Sequence, residues 1–386
     1  MTSAAAELPE SAAPALVERF RTDLPAFIGD IERLVRCESP SADQDAVARS
    51  AEEVASLGTA LLGVAPERIT LSGYTHLRWR FGTRPRALVL GHHDTVWPVG
   101  SLRTHPFQVR DGTLSGPGCF DMKAGLVLAL RAVAALPDPS GVTILVTGDE
   151  ELGAPSSREL ILDSARGCAA ALVAEPAGPA GALKIARKGV SHYRIQAKGR
   201  AAHAGLEPEH GINAAVELAE HLRTVATLGD AAAGTTVTPT TMAAGTADNT
   251  VPANGYFAVD VRAFEVVEQD RVDAALRALR PVLPGAALEI HGGPNRPPLP
   301  VAASRALFRR AVRLGAELRI GTLTGTAVGG GSDGNFTAGM GIPTLDGLGA
   351  CGGGAHADHE HVLIDELAPR AALFTALLAE LLGEAS

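Results

Sequence analysis

The sequence predicts an α/β fold, a mostly parallel sheet flanked by helices, with a smaller α+β domain inserted into it. Two observations carry this. Four short apolar runs, ALVLG (87–91), VTILVTG (142–148), AAALVAE (169–175) and IPTLDGLG (342–349), are separated by stretches of helical periodicity. Strands buried on both faces of a parallel sheet read in this way. Between residues 188 and 296 the pattern changes to half-exposed alternation, and the Pro-rich NRPPLP (295–300) marks the return to the first pattern.

Each element follows in order. After a polar, Ala-rich lead-in, Leu16, Val17, Phe20, Leu24, Phe27, Ile28, Ile31 and Leu34 recur at helical spacing and predict one helix over 14–36. A second is expected near 45–62, and AGLVLALRAVAAL (124–136) reads as a buried helix between strands. In the inserted stretch VSHYRIQAK (190–198) and GYFAVDVRAF (255–264) alternate as strands, with helices expected near 211–227 and 268–280. Strand, helix, strand, strand, helix, strand is the order of a ferredoxin-like sandwich. The expected domains are a discontinuous one, 1–187 with 297–386, and an inserted one, 188–296.

Composition narrows the partners. A chain of 386 residues is longer than one core usually grows, which agrees with two units. With 46% hydrophobic and 20% charged residues it is neither disordered nor a coiled coil. A net charge of -9 without a basic stretch argues against nucleic acid or an anionic membrane surface as partner. No apolar run approaches the ~20 residues of a membrane span. The lead-in lacks a basic segment followed by an apolar core, so a cytoplasmic location is expected. Cys37, Cys119, Cys168 and Cys351 are far apart and form no CxxC pair, so buried free thiols are expected.

The chemistry gathers at the ends of the apolar runs. ALVLG leads into His92 and Asp94, VTILVTG into Asp149, Glu150 and Glu151, AAALVA into Glu175, and IPTLDGLG through CGGGA to His356. In open parallel sheets ligands bind at the carboxyl ends of strands, where these side chains would meet. His92 and Asp94 share one side of an extended segment, so the acid can orient the imidazole. Asp121 follows the turn SGPGCF and opens the apolar helix, where the helix dipole favours an anion. Imidazoles and carboxylates without thiolate suit zinc, manganese or cobalt, and the set exceeds what one tetrahedral zinc takes. Two ions sharing one carboxylate fit better. Two divalent cations balance Asp121, Glu151, Glu175 and a bridging hydroxide, which leaves Glu150 as a spare acid able to move a proton.

The ordered motifs GHHDTV, SGPGCFDMKAG, GDEELG, AEP and GGGAH resemble the di-zinc metallopeptidases that include glutamate carboxypeptidase (the carboxypeptidase G type), aminoacylases and acetylornithine deacetylase. The resemblance covers nearly the whole chain after about residue 25. It implies a zinc-exopeptidase-like catalytic domain and two Zn2+ per chain, with Co2+ or Mn2+ as substitutes. His92 and Glu175 would hold one ion, Glu151 and His356 the other, with Asp121 bridging, Asp94 orienting and Glu150 as general base. A cis peptide after Asp121 is implied as well. The inserted domain would be a lid that also forms a homodimer, and His203 in GRAAHAG would reach a partner's active site to stabilise the oxyanion. Asn249, Arg262 and Arg296 match substrate-contacting positions, the last suited by its guanidinium fork to a terminal carboxylate.

The implied activity is hydrolysis of an amide or peptide bond in a small carboxylate-bearing substrate. It is either release of a C-terminal amino acid or deacylation of an N-acyl amino acid. A different class, an inactive metal-bound scaffold that binds a small molecule, would have no use for Glu150. One departure bears on specificity: the lysine that reads a glutamate side chain in glutamate carboxypeptidases would fall near Ala182 or Leu183, whereas Lys184 and Arg187 are out of register. Local roles compete with several of these assignments. Arg262 can be a salt bridge on a sheet face, His203 a turn residue, and His93, His359 and His361 surface or supporting histidines. GGGSDG (329–334) matches a dinucleotide fingerprint in letters, but no clear strand runs into it and no acid follows at the required distance. It reads as a glycine turn or nest, and KIARK (184–188) as a solvated face.

Overall fold

The computed structural model describes residues 12–383, so the Ala-rich lead-in lies outside the described residues. The chain separates into two compact units: residues 187–300 with 329–331 form one, and residues 1–186, 301–328 and 332–386 the other.

The larger unit is built on a six-stranded sheet in the order Glu67–Leu71, Tyr74–Arg80, Val142–Thr147, Ala87–His92, Ala170–Val173, Thr344–Leu345. The first two strands join antiparallel, and the last four run parallel. The apolar runs have a simple cause. Ala87 and Val89 pack into one core with the helices Ala124–Ala134 and Leu367–Gly383, while Leu88 and Leu90 pack into another with the helix Arg158–Ala165 and Phe336. Alternate residues face opposite layers, both layers are covered, and every position of the strand must be apolar.

Three expectations change in detail. The single helix over 14–36 is two, Ala12–Thr22 and Leu24–Arg36, broken at Asp23. Pro25 stands in the first turn of the second helix, where it has no N–H to give to Arg21. The run IPTLDGLG supplies only the short strand Thr344–Leu345, and the rest is loop. A strand does precede GGGSDG: Gly325–Val328 pairs with Leu183–Arg187, and the short helix Gly334–Gly339 follows.

The loop after Thr344–Leu345 is held from below by a buried arginine. Arg370, 2% exposed in the first turn of the helix Leu367–Gly383, donates to the backbone carbonyls of Gly181, Gly347 and Gly349. Its charge is spread over three carbonyls in place of water.

The smaller unit is a βαββαβ layer pair. Its strands Gly189–Lys198, Thr236–Ala244, Asn254–Ala263 and Ala287–Arg296 form one antiparallel sheet in the order second, third, first, fourth. The helices Ala214–Ala226 and Val266–Arg277 cover one face, where Ile195, Phe257, Val259, Leu218 and Leu276 form the core. His192 and Arg194 alternate with that core and are exposed, as a one-faced sheet requires. Arg187 anchors Gly330 and Gly331 through their carbonyls at 3.1 Å each, so this glycine segment is tied by its acceptors. Among the described residues no helix is long and apolar enough to cross a membrane.

Replacing Arg370 by Met removes the donor to the buried carbonyls of Gly347 and Gly349 and to that of Gly181. The expected loss is at least about 3 kcal/mol in urea unfolding, and a loss below about 1 kcal/mol would contradict the anchoring role.

Candidate metal centre

The register of the parallel strands sets the site. His92 lies opposite Thr147, and Leu90 opposite Val173, so the residues that follow each strand emerge at one carboxyl edge. His92 is 1% exposed. Its Nδ1 lies 2.9 Å from the Asp94 carbonyl and 3.4 Å from Asp94 Oδ1. A proton on Nδ1 therefore has acceptors, and Nε2 is left to offer its lone pair. The Asp94 carboxylate does more than face His92. It accepts from Ser41 Oγ at 2.6 Å and from the backbone N–H groups of Glu150 and Glu151 at 3.2 Å each. One buried acid thus fixes the turn that presents both glutamates. Asp149 fixes the chain beyond them by accepting from the backbone and hydroxyl groups of Ser156 and Ser157.

Two sets of side chains face each other across Asp121. His92 Nε2 lies 3.5 Å from Asp121 Oδ1 and 3.5 Å from Glu175 Oε1. His356 Nε2 lies 3.3 Å from Asp121 Oδ2 and 3.3 Å from Glu151 Oε1. Each carboxylate oxygen of Asp121 addresses a different histidine. Ligands about 2.1 Å from a tetrahedral ion are separated by about 3.4 Å, which is the spacing found here. Ligand atoms of His92, Glu150 and Glu175 also lie within 4.8 Å of one another.

The polar inventory points the same way. His92 Nε2, Asp121 Oδ1 and Glu151 Oε1 are buried without a hydrogen-bond partner. Such atoms each cost about 1–3 kcal/mol when nothing draws them. A cation between them removes that cost, and the nitrogen and oxygen donor set suits zinc, manganese or cobalt. The electrostatics describe the same anionic excess. Burial works against a charge on His92, yet the adjacent carboxylates of Asp121, Asp94 and Glu175 hold its pKa well above the ordinary value. The carboxylates of Asp121 and Glu151 beside it push His356 up to about 10. Asp121, although buried, is held far below the carboxylate range by His356 and His92. Burial raises Glu151. Positive charge is welcome wherever it can be placed in this cluster.

The segments bearing Asp121 and His356 are specialised. The Asp121–Met122 peptide is cis, as the resemblance implies, and His356 has a left-handed φ of 62°. Glu360, 3% exposed, was not singled out in the sequence, where it sits between the exposed His359 and the half-buried His361. Its carboxylate accepts from Trp97 Nε1, Gly118 N, Phe120 N and Asp121 N at 2.6 to 3.0 Å. His76 was also passed over; it is buried, with Nε2 on Ser156 Oγ and Nδ1 accepting from Gly148 N. His93 is buried with Nε2 on the Thr75 carbonyl, a supporting role. Lys184 Nζ stands 3.8 Å from Glu175 Oε2. The four cysteines are free, with Cys119, Cys168 and Cys351 buried and Cys37 half-buried.

The remaining sequence candidates belong to the smaller unit. His203 is exposed, and its Nδ1 accepts from Gly205 N and Leu206 N at 3.1 Å each. Asn249 is exposed, and its carbonyl accepts from Ala204 N. Arg262 forks onto Asp260 with two bonds of 2.8 Å, the sheet-face salt bridge named as its alternative. Arg296 is buried at the end of its strand, and its carbonyl accepts from Gln269.

Comparison with known proteins adds the following. The model for "Peptidase family M20/M25/M40" matches residues 88–380. Carboxypeptidase G2 of Pseudomonas sp. (strain RS-16) is 28% identical over 384 residues, covering 95% of this chain and 92% of that one. Succinyl-diaminopimelate desuccinylase of Azoarcus sp. (strain BH72) is 30% identical over 353 residues, covering 83% and 90%. Among solved structures, aminopeptidase PepT from Bacillus cereus superimposes with a TM-score of 0.70 at 21% identity, over 93% of this chain and 99% of that one. The metallo-carboxypeptidase Sso-CP2 from Sulfolobus solfataricus gives 0.69 at 16%, over 93% and 99%. These last two speak for the fold alone.

Burial lowers the pKa of His93 to about 4. An unfolded histidine protonates near 6.5, so the unfolded chain binds the extra proton between those values. The contribution of the neutral ring to stability is therefore present above about pH 6.5 and is lost as pH falls toward 4. In a 15N NMR titration the His93 ring stays neutral at pH 5.5, and a midpoint near 6.5 would contradict this.

Proposed function

The chain belongs to peptidase family M20/M25/M40, and on that premise we propose that it is a di-zinc carboxypeptidase that releases a C-terminal amino acid from a small substrate. Hydrolysis of a peptide or amide bond by a metal-dependent enzyme follows from the family and from both curated relatives. The finer reading rests chiefly on one observation. Two adjacent glutamates leave one turn, Glu151 toward the Asp121 and His356 set, and Glu150, 7% exposed, toward His92 and Glu175.

In this reading His92 and Glu175 would hold one zinc, Glu151 and His356 the other, with Asp121 shared between them. Bound there, zinc supplies Lewis acidity for a carbonyl oxygen and for water. Asp94 holds His92 and the Glu150–Glu151 turn in register, so the two glutamates cannot exchange roles. Glu150 takes the proton from the attacking water as the oxygen adds to the carbonyl carbon. It returns that proton to the amide nitrogen as the C–N bond breaks, so the amine leaves neutral.

Residues 188–296 act as lid and dimerisation domain in the same proposal, in a cytoplasmic homodimer. With Nδ1 of His203 accepting two N–H groups, its proton resides on Nε2, which suits a donor to an oxyanion in the partner subunit's site. Asn249 and Arg262 contact substrate, Arg262 with the donors that Asp260 leaves over. Arg296 holds the terminal carboxylate. A second reading, deacylation of an N-acyl amino acid, is supported by the 30% identity to a desuccinylase. The apolar pair Ala182 and Leu183, near which glutamate carboxypeptidases place a lysine, also favours a side chain other than glutamate.

Glu150→Gln should keep the wild-type zinc content while hydrolysis falls about 10²- to 10⁴-fold. Elemental analysis and rates on a panel of dipeptides, N-acyl glutamates and N-succinyl or N-acetyl amino acids read both. Turnover within tenfold of wild type would remove the general-base role. Chelation should abolish hydrolysis and zinc should restore it, and preference within the panel separates carboxypeptidase from deacylase.

A further inference from the structure

We infer that Glu360 is a positioning residue whose carboxylate locks the Asp121 segment to the His356 segment and so sets the metal position those two ligands share. The inference rests on the two-metal reading of the centre. Both oxygens of Glu360 are used. Oε1 accepts from Phe120 N at 2.8 Å and Asp121 N at 2.9 Å, and Oε2 accepts from Gly118 N at 3.0 Å and Trp97 Nε1 at 2.6 Å. Three of the four donors belong to the turn that ends on Asp121, so the backbone of this ligand is held directly.

The same residue closes the loop that carries His356. Gly352 and Gly353 pair with Val362 and His361, and the intervening loop is folded by Ala357 N on the Gly354 carbonyl and Glu360 N on the Ala357 carbonyl. Within it His356 keeps the left-handed φ of 62°, uncommon for a residue with a Cβ. The strand His361–Leu363 also pairs with Thr113–Ser115, just ahead of the Asp121 turn. Glu360 stands at the junction of the two ligand-bearing segments. By contrast His92 ends a strand paired on both sides, and Ala174, just before Glu175, donates to Leu90. That half of the centre is built into the sheet and needs no such clamp.

Charge and shape are both required. An amide has one acceptor oxygen, and its NH2 would be aimed at two N–H donors. Glu360→Gln therefore forces the turn open on one side. Outer partners of metal ligands commonly govern affinity by about 10- to 100-fold. Here the effect should fall more heavily on the ion held with His356, because the other also has His92 and Glu175 fixed by the sheet.

The test is a cobalt(II) titration of the metal-free chain followed by visible absorption, alongside Glu360→Gln, Glu360→Asp and His356→Ala. Wild type should take two ions. Glu360→Gln should weaken the ion held with His356 about 10- to 100-fold and the other, which shares Asp121 but keeps His92 and Glu175, clearly less, with a one-ion spectrum like that of His356→Ala. Glu360→Asp, which keeps the charge but shortens the reach, should weaken the same ion to a lesser degree, and it carries the comparison if the Gln variant does not fold. Unchanged affinities for both ions, or an equal loss of both, would overturn the positioning role. A wild-type chain that takes fewer than two ions would defeat the two-metal reading itself, a result distinct from either.

Discussion

The structure depends on the excess of negative charge at one edge of a buried sheet. Asp121, Glu151 and Glu175 converge on two histidines with separations of 3.3 to 3.5 Å, largely buried except at His356, which is open to solvent. Three carboxylates gathered around the same two rings repel one another, the more so where burial limits screening. Protons on the histidines relieve this in part, and divalent cations relieve it fully. The orphaned atoms on His92, Asp121 and Glu151 mark where those cations belong.

Much of the surrounding chain keeps this cluster assembled, mainly through the backbone. Asp94 accepts from the N–H groups of the paired glutamates, Glu360 from those of the Asp121 turn, and Arg370 donates to the carbonyls of the loop that leads toward His356. Buried charges satisfied by peptide groups fix where a ligand segment runs without adding another charge to the centre itself. Adjacent acids such as Glu150 and Glu151 acquire different surroundings because their peptide groups are held, one turn at a time.

The parallel core was legible because its strands are covered on both faces. Such strands appear as apolar runs, and an abrupt stop at His92, Asp149 or Glu175 is conspicuous. Other features are not encoded locally. Glu360 and its partner Phe120 lie 240 positions apart, and the partner is a peptide N–H that every residue possesses. Nothing in HADHEH separates that acid from its exposed neighbours. The strand Gly325–Val328 is too short, and too poor in alternation, to announce itself before the glycine run. The break between the first helices was encoded in Pro25 but masked by apolar spacing that continues across it. For Arg262 the acid two positions earlier on the same strand announces a local partner, and Asp260 does accept from its guanidinium.

The central claim, that one carboxylate is shared by two ions, is open to direct observation. Anomalous diffraction at the zinc edge from crystals of the zinc-loaded protein should show two peaks. One should lie among His92, Glu175 and Asp121 Oδ1, the other among Glu151, His356 and Asp121 Oδ2. A single peak, or zinc bound away from Asp121, would contradict the account.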